Sequence, residues 1–161
     1  MKLYLLDANV LIHANAYYYP LDRIPQFWEW LAAEASTGRI KMPYEIYHEI
    51  KGNNPLKEWI TKKSIRDALL LDEHVTSYAV NVVLEKGYAP DLNDTEIDGM
   101  GKDKFLIAYA AMDNNRVVVT NEVSKPKRKR ANRHIPDVCD SLKIKWMTGF
   151  ELYKELDFRI N

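Results

Sequence analysis

Four carboxylates in this sequence lie next to apolar residues that a fold would bury. Asp7 interrupts the apolar run KLYLLDANVLI, and Glu122 follows the apolar run VVVTN. Glu49 directly precedes Ile50, and Asp103 begins the segment DKFLIAYAA. A carboxylate has little reason to lie in a buried segment unless something binds it, because removing an unpaired charge from water is unfavourable. These four acids are therefore our candidate site residues.

The chemistry that such acids would share is the binding of a divalent cation. Carboxylates that converge in one pocket repel one another and raise each other's pKa values unless a cation neutralises them. Oxygen donors select Mg²⁺ or Mn²⁺ rather than zinc, and the single Cys139 and four scattered histidines offer no zinc-type ligand set. The sequence therefore predicts a Mg²⁺ or Mn²⁺ site. The predicted ligands are Asp7, Glu49, Asp103 and Glu122.

Alternating strands and helices have to position these acids. The run at residues 2–12 is predicted to be one buried strand, and further strands are predicted at residues 40–42, 117–120 and 144–147. Apolar periodicity with flanking Pro and Gly predicts helices at residues 25–36, 44–51, 55–62, 72–86, 102–114, 136–142 and 149–156. The acidic residues 90–101 are predicted to be a loop. Apolar strands separated by helices predict an α/β fold, a three-layer α/β/α sandwich with a central parallel sheet.

Two of the predicted strands carry polar groups near their carboxyl ends. Asp7 and Asn9 belong to the first strand, and Thr120 and Glu122 end the third. Parallel α/β sheets bind their ligands beyond the carboxyl ends of the strands. We therefore expect these four side chains to face one pocket.

The composition is that of an ordinary globular domain. The 161 residues include 47% hydrophobic and 29% charged residues and suit a single domain spanning residues 1–161. Lys+Arg and Asp+Glu number 23 each, so no overall charge favours nucleic acid or an acidic substrate. No apolar run approaches the roughly 20 residues of a membrane span. We expect a cytoplasmic protein with no membrane partner.

The order of four short motifs resembles the PIN-domain nuclease superfamily, which includes VapC-type toxin ribonucleases. The motifs are LLDANVLI, PYEIYHEI, DKFLIAYAA and VVVTNE. The resemblance implies a PIN-like fold and a Mg²⁺/Mn²⁺-dependent endoribonuclease that hydrolyses phosphodiester bonds. It assigns the four acids to Asp7, Glu49, Asp103 and Glu122, with Asn9 and Thr120 as supporting groups. By analogy it also implies an RNA substrate, an antitoxin partner and a homodimer.

Two positions depart from the motifs or depend on them. The last acid in the superfamily is more often aspartate, and Glu122 has one additional methylene, so its contact with a metal ion is direct, through water or absent. Glu45 and Glu49 share a helical face at four-residue spacing. The resemblance selects Glu49, and we expect Glu45 to be exposed.

A basic segment begins three residues after Glu122. Cationic side chains beside an acidic metal pocket would hold the phosphates that flank the scissile bond. The candidate RNA-binding residues are Lys125, Lys127, Arg128, Lys129 and Arg130. The alternatives are a solvated loop and a contact for an inhibitory partner. Tyr17, Tyr18 and Tyr19 are a second candidate surface, for base stacking or for a partner.

Several alternatives remain open from the residues alone. Asp7 is a structural acid if it only caps a turn, and Asp103 is one if it only occupies the favourable first turn of a helix. A phosphatase of the haloacid-dehalogenase type would use Asp7 as a nucleophile, but it requires a second aspartate where this chain has Asn9. A housekeeping RNA-processing nuclease and a non-catalytic RNA- or protein-binding module are the remaining rivals.

Overall fold

Four short parallel strands form the centre of the fold, in the order β2-β1-β3-β4. The strands are β1 (Leu3–Leu6), β2 (Ile40–Lys41), β3 (Arg116–Val119) and β4 (Lys145–Met147). In β1, Tyr4 pairs with Ile40 on one side and with Val117 on the other. The computed structural model describes all residues, 1–161.

Ten α-helices connect and flank the strands. They are α1 (Ala8–His13), α2 (Pro25–Ser36), α3 (Tyr44–Tyr47), α4 (Pro55–Thr61), α5 (Lys63–Leu69), α6 (Ser77–Val82), α7 (Asp94–Gly99), α8 (Asp103–Ala111), α9 (Ile135–Leu142) and α10 (Gly149–Glu155). Two π-helical segments, Ala14–Tyr18 and Val83–Tyr88, continue α1 and α6, and Arg130–Asn132 forms a 3₁₀ turn. The predicted three-layer α/β/α sandwich with a central parallel sheet is confirmed.

The sheet is buried on both faces, as its apolar strands require. Leu5, Leu6, Val118 and Val119 are fully buried and belong to one cluster of 35 buried hydrophobic residues. Because both faces are covered, the polar groups that follow the strands are the first ones able to reach solvent or a ligand at that edge. None of the ten helices combines the length and the apolar character that a membrane crossing requires.

The prediction of one strand over residues 2–12 is wrong, because β1 ends at Leu6 and α1 starts at Ala8. The Asp7 backbone continues the sheet by donating to the carbonyl of Val119 at 2.8 Å, and the Asp7 carbonyl then accepts from Val10. The buried α1 residues Ala8, Val10 and Leu11 pack as a helix. Asp7 is therefore the junction between β1 and α1, and Asn9 lies in the helix.

The helix predicted at residues 44–51 is also shorter than expected, since α3 ends at Tyr47. Beyond it the backbone hydrogen bonds tighten from four-residue to three-residue spacing, with Glu49 donating to Ile46 and Ile50 to Tyr47. This tight turn directs Ile50 into the core. Glu49 consequently lies on the turn that follows α3.

The remaining differences come from helix caps and from a short helix that the pattern did not indicate. The helix predicted at residues 72–86 starts at Ser77, because the Thr76 side chain accepts from the Ala79 backbone, and it continues to Tyr88 as a π-helix. The loop predicted at residues 90–101 contains α7, which Asn93 and Glu96 stabilise by a reciprocal capping box. The α5 helix was not predicted.

Candidate functional site

Asp7 is a buried acid held by a single hydroxyl. Its side chain is 5% exposed, and one carboxylate oxygen accepts a 2.8 Å hydrogen bond from Oγ1 of Thr120. Burial raises the pKa of Asp7 to about 6, the Thr120 hydrogen bond opposes that rise, and the charges of Glu49 and Glu122 add to it. The carboxylate makes no capping hydrogen bond to α1. The backbone of Ala8, the first residue of α1, lowers the pKa of Asp7 only in part, so burial outweighs the local polar contacts.

Asp103 occupies the first turn of α8, where the helix dipole favours an anion. Its pKa is nevertheless raised to about 8, first by burial and then by the charges of Asp7, Glu122 and Glu49. Lys104 lowers the pKa of Asp103 only in part. The Lys104 ammonium donates instead to the backbone carbonyl of Gly101 at 2.7 Å. Desolvation and like charges thus outweigh the helix dipole at Asp103.

Glu49 lies on the turn after α3, between two surface grooves. One groove of about 610 Å³ also contacts Lys102, and the other, of about 320 Å³, also contacts Ile12. Although Glu49 is exposed, the surrounding protein desolvates its carboxylate enough to raise its pKa, against the charges of Lys102 and Lys51. Glu49 is therefore the solvent-facing member of the four acids.

Glu122 has a structural partner of its own. One carboxylate oxygen accepts a 3.0 Å hydrogen bond from the backbone of Ile135 and lies 3.3 Å from Nδ1 of His134. These contacts fix Glu122 against the N-terminus of α9. Its charge still reaches the other acids and raises the pKa values of Asp7 and Asp103.

The two groups predicted to support the site contact each other and join the strand ends. Oγ1 of Thr120 donates to Asp7 and accepts from the backbone of Glu122 at 3.1 Å. The Asn9 amide donates to Thr120 at 3.4 Å, and its carbonyl oxygen accepts from the backbone of Asn121 at 3.1 Å. Asn121, which the sequence analysis missed, accepts in turn from the backbone of Gly149. The structure therefore joins the side chains of Asp7, Asn9 and Thr120, and it joins Glu122 to them through its backbone only.

The carboxylate oxygens of the four acids are the type of ligand that a hard divalent cation prefers. In this structure, however, their side chains do not surround a common point. Asp7, Glu49, Asp103 and Glu122 offer only oxygen donors, and the charges of the neighbouring acids raise the pKa values of Asp7 and Asp103. No group of three or more His, Cys, Asp or Glu side chains lies close enough together to hold one metal ion. These carboxylates would therefore have to turn inward to ligate an ion.

The side chains of the basic segment differ in whether they form ion pairs within the protein. Lys125, Lys127, Arg128 and Lys129 are exposed. Arg130 instead forms ion pairs on the adjacent helix and loop, at 2.8 Å with Asp91 and 2.9 Å with Glu96. Of the five predicted RNA-binding residues, Arg130 is thus the one whose charge is already matched within the protein.

Asp137 secures the start of the basic segment. Its carboxylate accepts from Oγ of Ser124 at 2.5 Å and from the backbone of Lys125 at 2.8 Å. The carboxyl group is buried, yet these two donors and the charges of Arg133 and His134 hold its pKa below the ordinary value. Asp137 is therefore a structural acid.

Glu45 and the tyrosine run also differ from expectation. Glu45 was predicted to be exposed, but it is half-buried and accepts a 2.9 Å hydrogen bond from the Tyr109 hydroxyl. Tyr17 and Tyr18 are exposed, whereas Tyr19 stacks on Phe27 in the core-facing aromatic cluster. Only two of the three tyrosines are therefore available to a ligand.

Tyr88 is a further residue near the acids that the sequence analysis missed. It is 7% exposed, and its hydroxyl has no hydrogen-bond partner in the protein. Burial raises the pKa of Tyr88, and the charges of Asp103 and Glu122 raise it further. No pattern in the sequence marks this residue, because its burial arises from packing between distant helices.

Comparison with known proteins assigns the family. A family model described as a domain of unknown function, DUF4411, matches residues 4–160. The chain therefore belongs to this family. Neither the comparison with curated proteins nor the comparison with solved structures gave a match.

Proposed function

We propose that this member of the DUF4411 family is a PIN-like, Mg²⁺- or Mn²⁺-dependent endoribonuclease. The observation that carries the proposal is the pair Asp7 and Asp103, two desolvated acids whose pKa values are raised to about 6 and about 8. Two such acids at the carboxyl edge of a parallel sheet are typical of a functional site rather than of structural acids. A structural acid in this chain, Asp137, has a lowered pKa instead.

The choice of cation and substrate rests on chemistry and on the motif resemblance. An oxygen-only donor set suits Mg²⁺ or Mn²⁺. The four motifs that resemble PIN nucleases supply the four acids in order along the chain. The exposed cations Lys125, Lys127, Arg128 and Lys129 follow β3, beyond Glu122, where they would bind phosphates that flank the scissile bond. These features favour a nucleic-acid substrate despite the net charge of zero.

In this proposal the site residues have different roles. Asp7 and Asp103 would hold the cation, with Glu49 and Glu122 completing the anionic pocket. When bound, a divalent cation neutralises the pocket and supplies Lewis acidity at the scissile phosphate. The Thr120 hydroxyl keeps Asp7 oriented, and the buried sheet beneath both acids limits the water that would otherwise screen their charge. No side-chain nucleophile is needed.

Cleavage of single-stranded RNA tests this proposal. Wild type should cut a labelled RNA in Mn²⁺ and lose activity in excess chelator, and Asp7→Asn and Asp103→Asn should each lose at least about 100-fold. Asp72→Asn is the matched control, because Asp72 is exposed and lies outside the site. An Asp7→Asn protein that cuts as fast as wild type would assign the cleavage to a contaminant or to another site.

A toxin role remains the part of the proposal that depends on resemblance alone. It adds a small antitoxin, a homodimer and action in the cytoplasm. Expression of the chain should then arrest growth, and co-expression of the neighbouring open reading frame should relieve the arrest. Activity without growth arrest would favour a housekeeping RNA-processing nuclease.

Two observations favour a second candidate, a non-catalytic RNA- or protein-binding module. Glu122 is held by Ile135 and His134, and no three side chains form a ligand set. A module of this kind would bind RNA through the basic segment without cleaving it. Calorimetry with Mn²⁺ separates the two candidates, since heat of binding that Asp103→Asn abolishes supports the nuclease, and no heat supports the module.

A further inference from the structure

Two tyrosines and a phenylalanine form an exposed surface of aromatic rings. Tyr17 is 71% exposed, Tyr18 is 47% exposed and Phe150 is 49% exposed. The ring centroids of Tyr18 and Phe150 are 4.7 Å apart, and those of Tyr17 and Tyr18 are 6.2 Å apart. The three rings therefore lie next to one another, and we call them the aromatic surface.

A π-helical turn holds the two tyrosines outward. The turn is the segment Ala14–Tyr18, and after it the Tyr19 backbone donates to the carbonyl of Ala14 at 2.6 Å. Tyr19 itself packs against the core, and its carbonyl accepts from the indole of Trp28 at 2.7 Å. Because Tyr19 is anchored, the two tyrosines before it are held on a fixed backbone. Such π-helical turns are frequent at functional sites.

Asn121 links the aromatic surface to the end of β3. Its Nδ2 atom lies 3.3 Å from Nδ1 of His13, whose ring centroid is 5.8 Å from that of Tyr17. Its Oδ1 atom accepts a 3.0 Å hydrogen bond from the backbone of Gly149, the residue before Phe150. The rings therefore lie beside the strand end from which the basic segment leaves the sheet.

The exposed cations begin close to this point. Lys125 follows Asn121 by four residues, which span at most about 14 Å of extended chain. Lys127, Arg128 and Lys129 are exposed as well. Sites for single-stranded nucleic acids combine cationic side chains that contact the phosphates with aromatic rings on which the bases stack. This part of the protein has both features.

The size of the aromatic surface suits bases better than a folded protein. An aromatic side chain has about 150–250 Å² of surface, so the three rings together expose about 250–400 Å². A stable interface between proteins covers about 800 Å² on each partner. The rings are thus too small a surface for a stable protein complex, whereas one ring is enough to stack one base.

We propose that the aromatic surface binds unpaired bases of a single-stranded RNA whose phosphates contact the basic segment. The inference rests on the proposed function for its RNA ligand. It requires no cation, because bases stack on aromatic rings without a metal ion. Since every base has an aromatic face, the surface would bind RNA with little preference for sequence.

The test measures RNA binding by the full chain in excess chelator, where metal-dependent cleavage is absent. Fluorescence anisotropy compares a labelled single-stranded RNA with a strand of equal length built from abasic units. Tyr17→Leu should weaken binding of the RNA by about 5-fold or more. It should leave binding of the abasic strand unchanged, because that strand offers phosphates and no bases.

Two further variants are controls. Tyr17→Phe keeps the ring and should bind RNA as wild type does. Tyr78→Leu removes a tyrosine of α6 that is also exposed but lies outside the aromatic surface, and it should not weaken RNA binding. The melting temperature of each variant should match that of wild type, because both tyrosines are exposed.

The outcomes separate this inference from the proposed function. Weaker binding of Tyr17→Leu to RNA alone, with an unchanged salt dependence, supports base stacking. If Tyr17→Leu binds RNA as tightly as wild type, the aromatic surface is not an RNA site, while the proposed nuclease stands. A homodimer in light scattering that Tyr17→Leu dissociates would assign the rings to a contact between copies and overturn the inference. Wild type that binds no RNA would overturn the inference and the proposed function together.

Discussion

The hydroxyl of Thr120 donates a 2.8 Å hydrogen bond to the carboxylate of Asp7, across 113 positions of the chain. The bond joins the carboxyl ends of β1 and β3 at a point where Asp7 is buried. The same oxygen accepts from the backbone of Glu122. One side chain therefore connects two of the four candidate acids.

Thr120→Val should destabilise the protein and raise the pKa of Asp7 further. Valine preserves the shape of the side chain but removes both the donor for Asp7 and the acceptor for the Glu122 backbone. Buried polar groups left unpaired cost about 1–3 kcal/mol each. Urea denaturation at pH 7 should therefore show a loss of stability in this range, together with slower RNA cleavage.

Thr120→Ser is the control for that variant, because serine keeps the hydroxyl. It should retain most of the stability and the cleavage rate. Equal stability of Thr120→Val and wild type would show that the bond to Asp7 contributes nothing to the fold.

The stability of the metal-free protein should carry a pH dependence from Asp7 and Asp103. Their pKa values in the folded protein, about 6 and about 8, exceed the ordinary aspartate value of about 3.9. Folding therefore favours the protonated form of both acids. Below about pH 4 both acids are protonated in the folded and the unfolded protein, so they do not lower the free energy of unfolding there. As the pH rises above about 4, the acids ionise in the unfolded chain while the fold keeps them protonated, so stability falls until the pH passes about 6 for Asp7 and about 8 for Asp103.

Asp103→Asn isolates that contribution, because asparagine cannot ionise. Relative to wild type, the variant should gain stability as the pH rises from 4 to 8, by about 2 kcal/mol or more, which corresponds to roughly 4–8 °C in melting temperature. Asp72→Asn should track wild type across the same range. A stability difference between Asp103→Asn and wild type that does not change with pH would contradict a desolvated Asp103.

Because Arg130 already forms ion pairs within the protein, we expect it to contribute less to RNA binding than the other basic residues of the segment. Replacing Lys127, Arg128 and Lys129 with Ser should weaken binding and reduce the slope of log affinity against log salt by up to about 2, since each phosphate contact on a single strand contributes roughly 0.7. Arg130→Gln should change the slope little, because its guanidinium already pairs with Asp91 and Glu96. Fluorescence anisotropy across a salt titration measures both slopes.

A larger slope change for Arg130→Gln than for the triple variant would mean that RNA displaces those ion pairs. The stability of Arg130→Gln should stay close to that of wild type, as expected for an exposed ion-pair cluster.

Glu122 combines a structural contact with a candidate role in the site, and two substitutions separate them. Glu122→Gln keeps an oxygen for the Ile135 backbone and removes the charge, so stability should be retained while cleavage falls. Glu122→Ala also removes the acceptor and should destabilise the protein by about 1 kcal/mol, a typical loss for a helix cap. Full cleavage activity in Glu122→Gln would make Glu122 a structural residue only.

The sequence predicted the architecture well because buried parallel strands and amphipathic helices leave strong apolar patterns. From the rule that strand ends share an edge it predicted that Asp7, Asn9 and Thr120 would lie together, but the Glu122 carboxylate turns to Ile135 instead. It failed at residues 2–12, because a continuous apolar run is compatible with a strand or a buried helix. The run is in fact a strand followed by a helix, and the change of backbone direction at Asp7 divides them.

Other features depend on contacts between distant parts of the chain. The cap that begins α6 at Ser77 and the capping box of α7 are local, and attention to Thr76 and Asn93 could have found them. The burial of Tyr88, the pairing of Arg130 with α7 and the contact of Glu122 with Ile135 are not local. They arise from helix packing, which residue spacing does not encode.

The most direct test of the central claim is an anomalous diffraction map of crystals soaked in Mn²⁺. We expect one strong peak at the carboxyl edge of the sheet, with oxygens of Asp7 and Asp103 at about 2.1 Å from the ion, as for the similar Mg²⁺ ion. Loss of that peak in Asp103→Asn crystals would confirm the assignment. A fully soaked crystal with no peak at these carboxylates, or with Mn²⁺ bound only elsewhere, would contradict it.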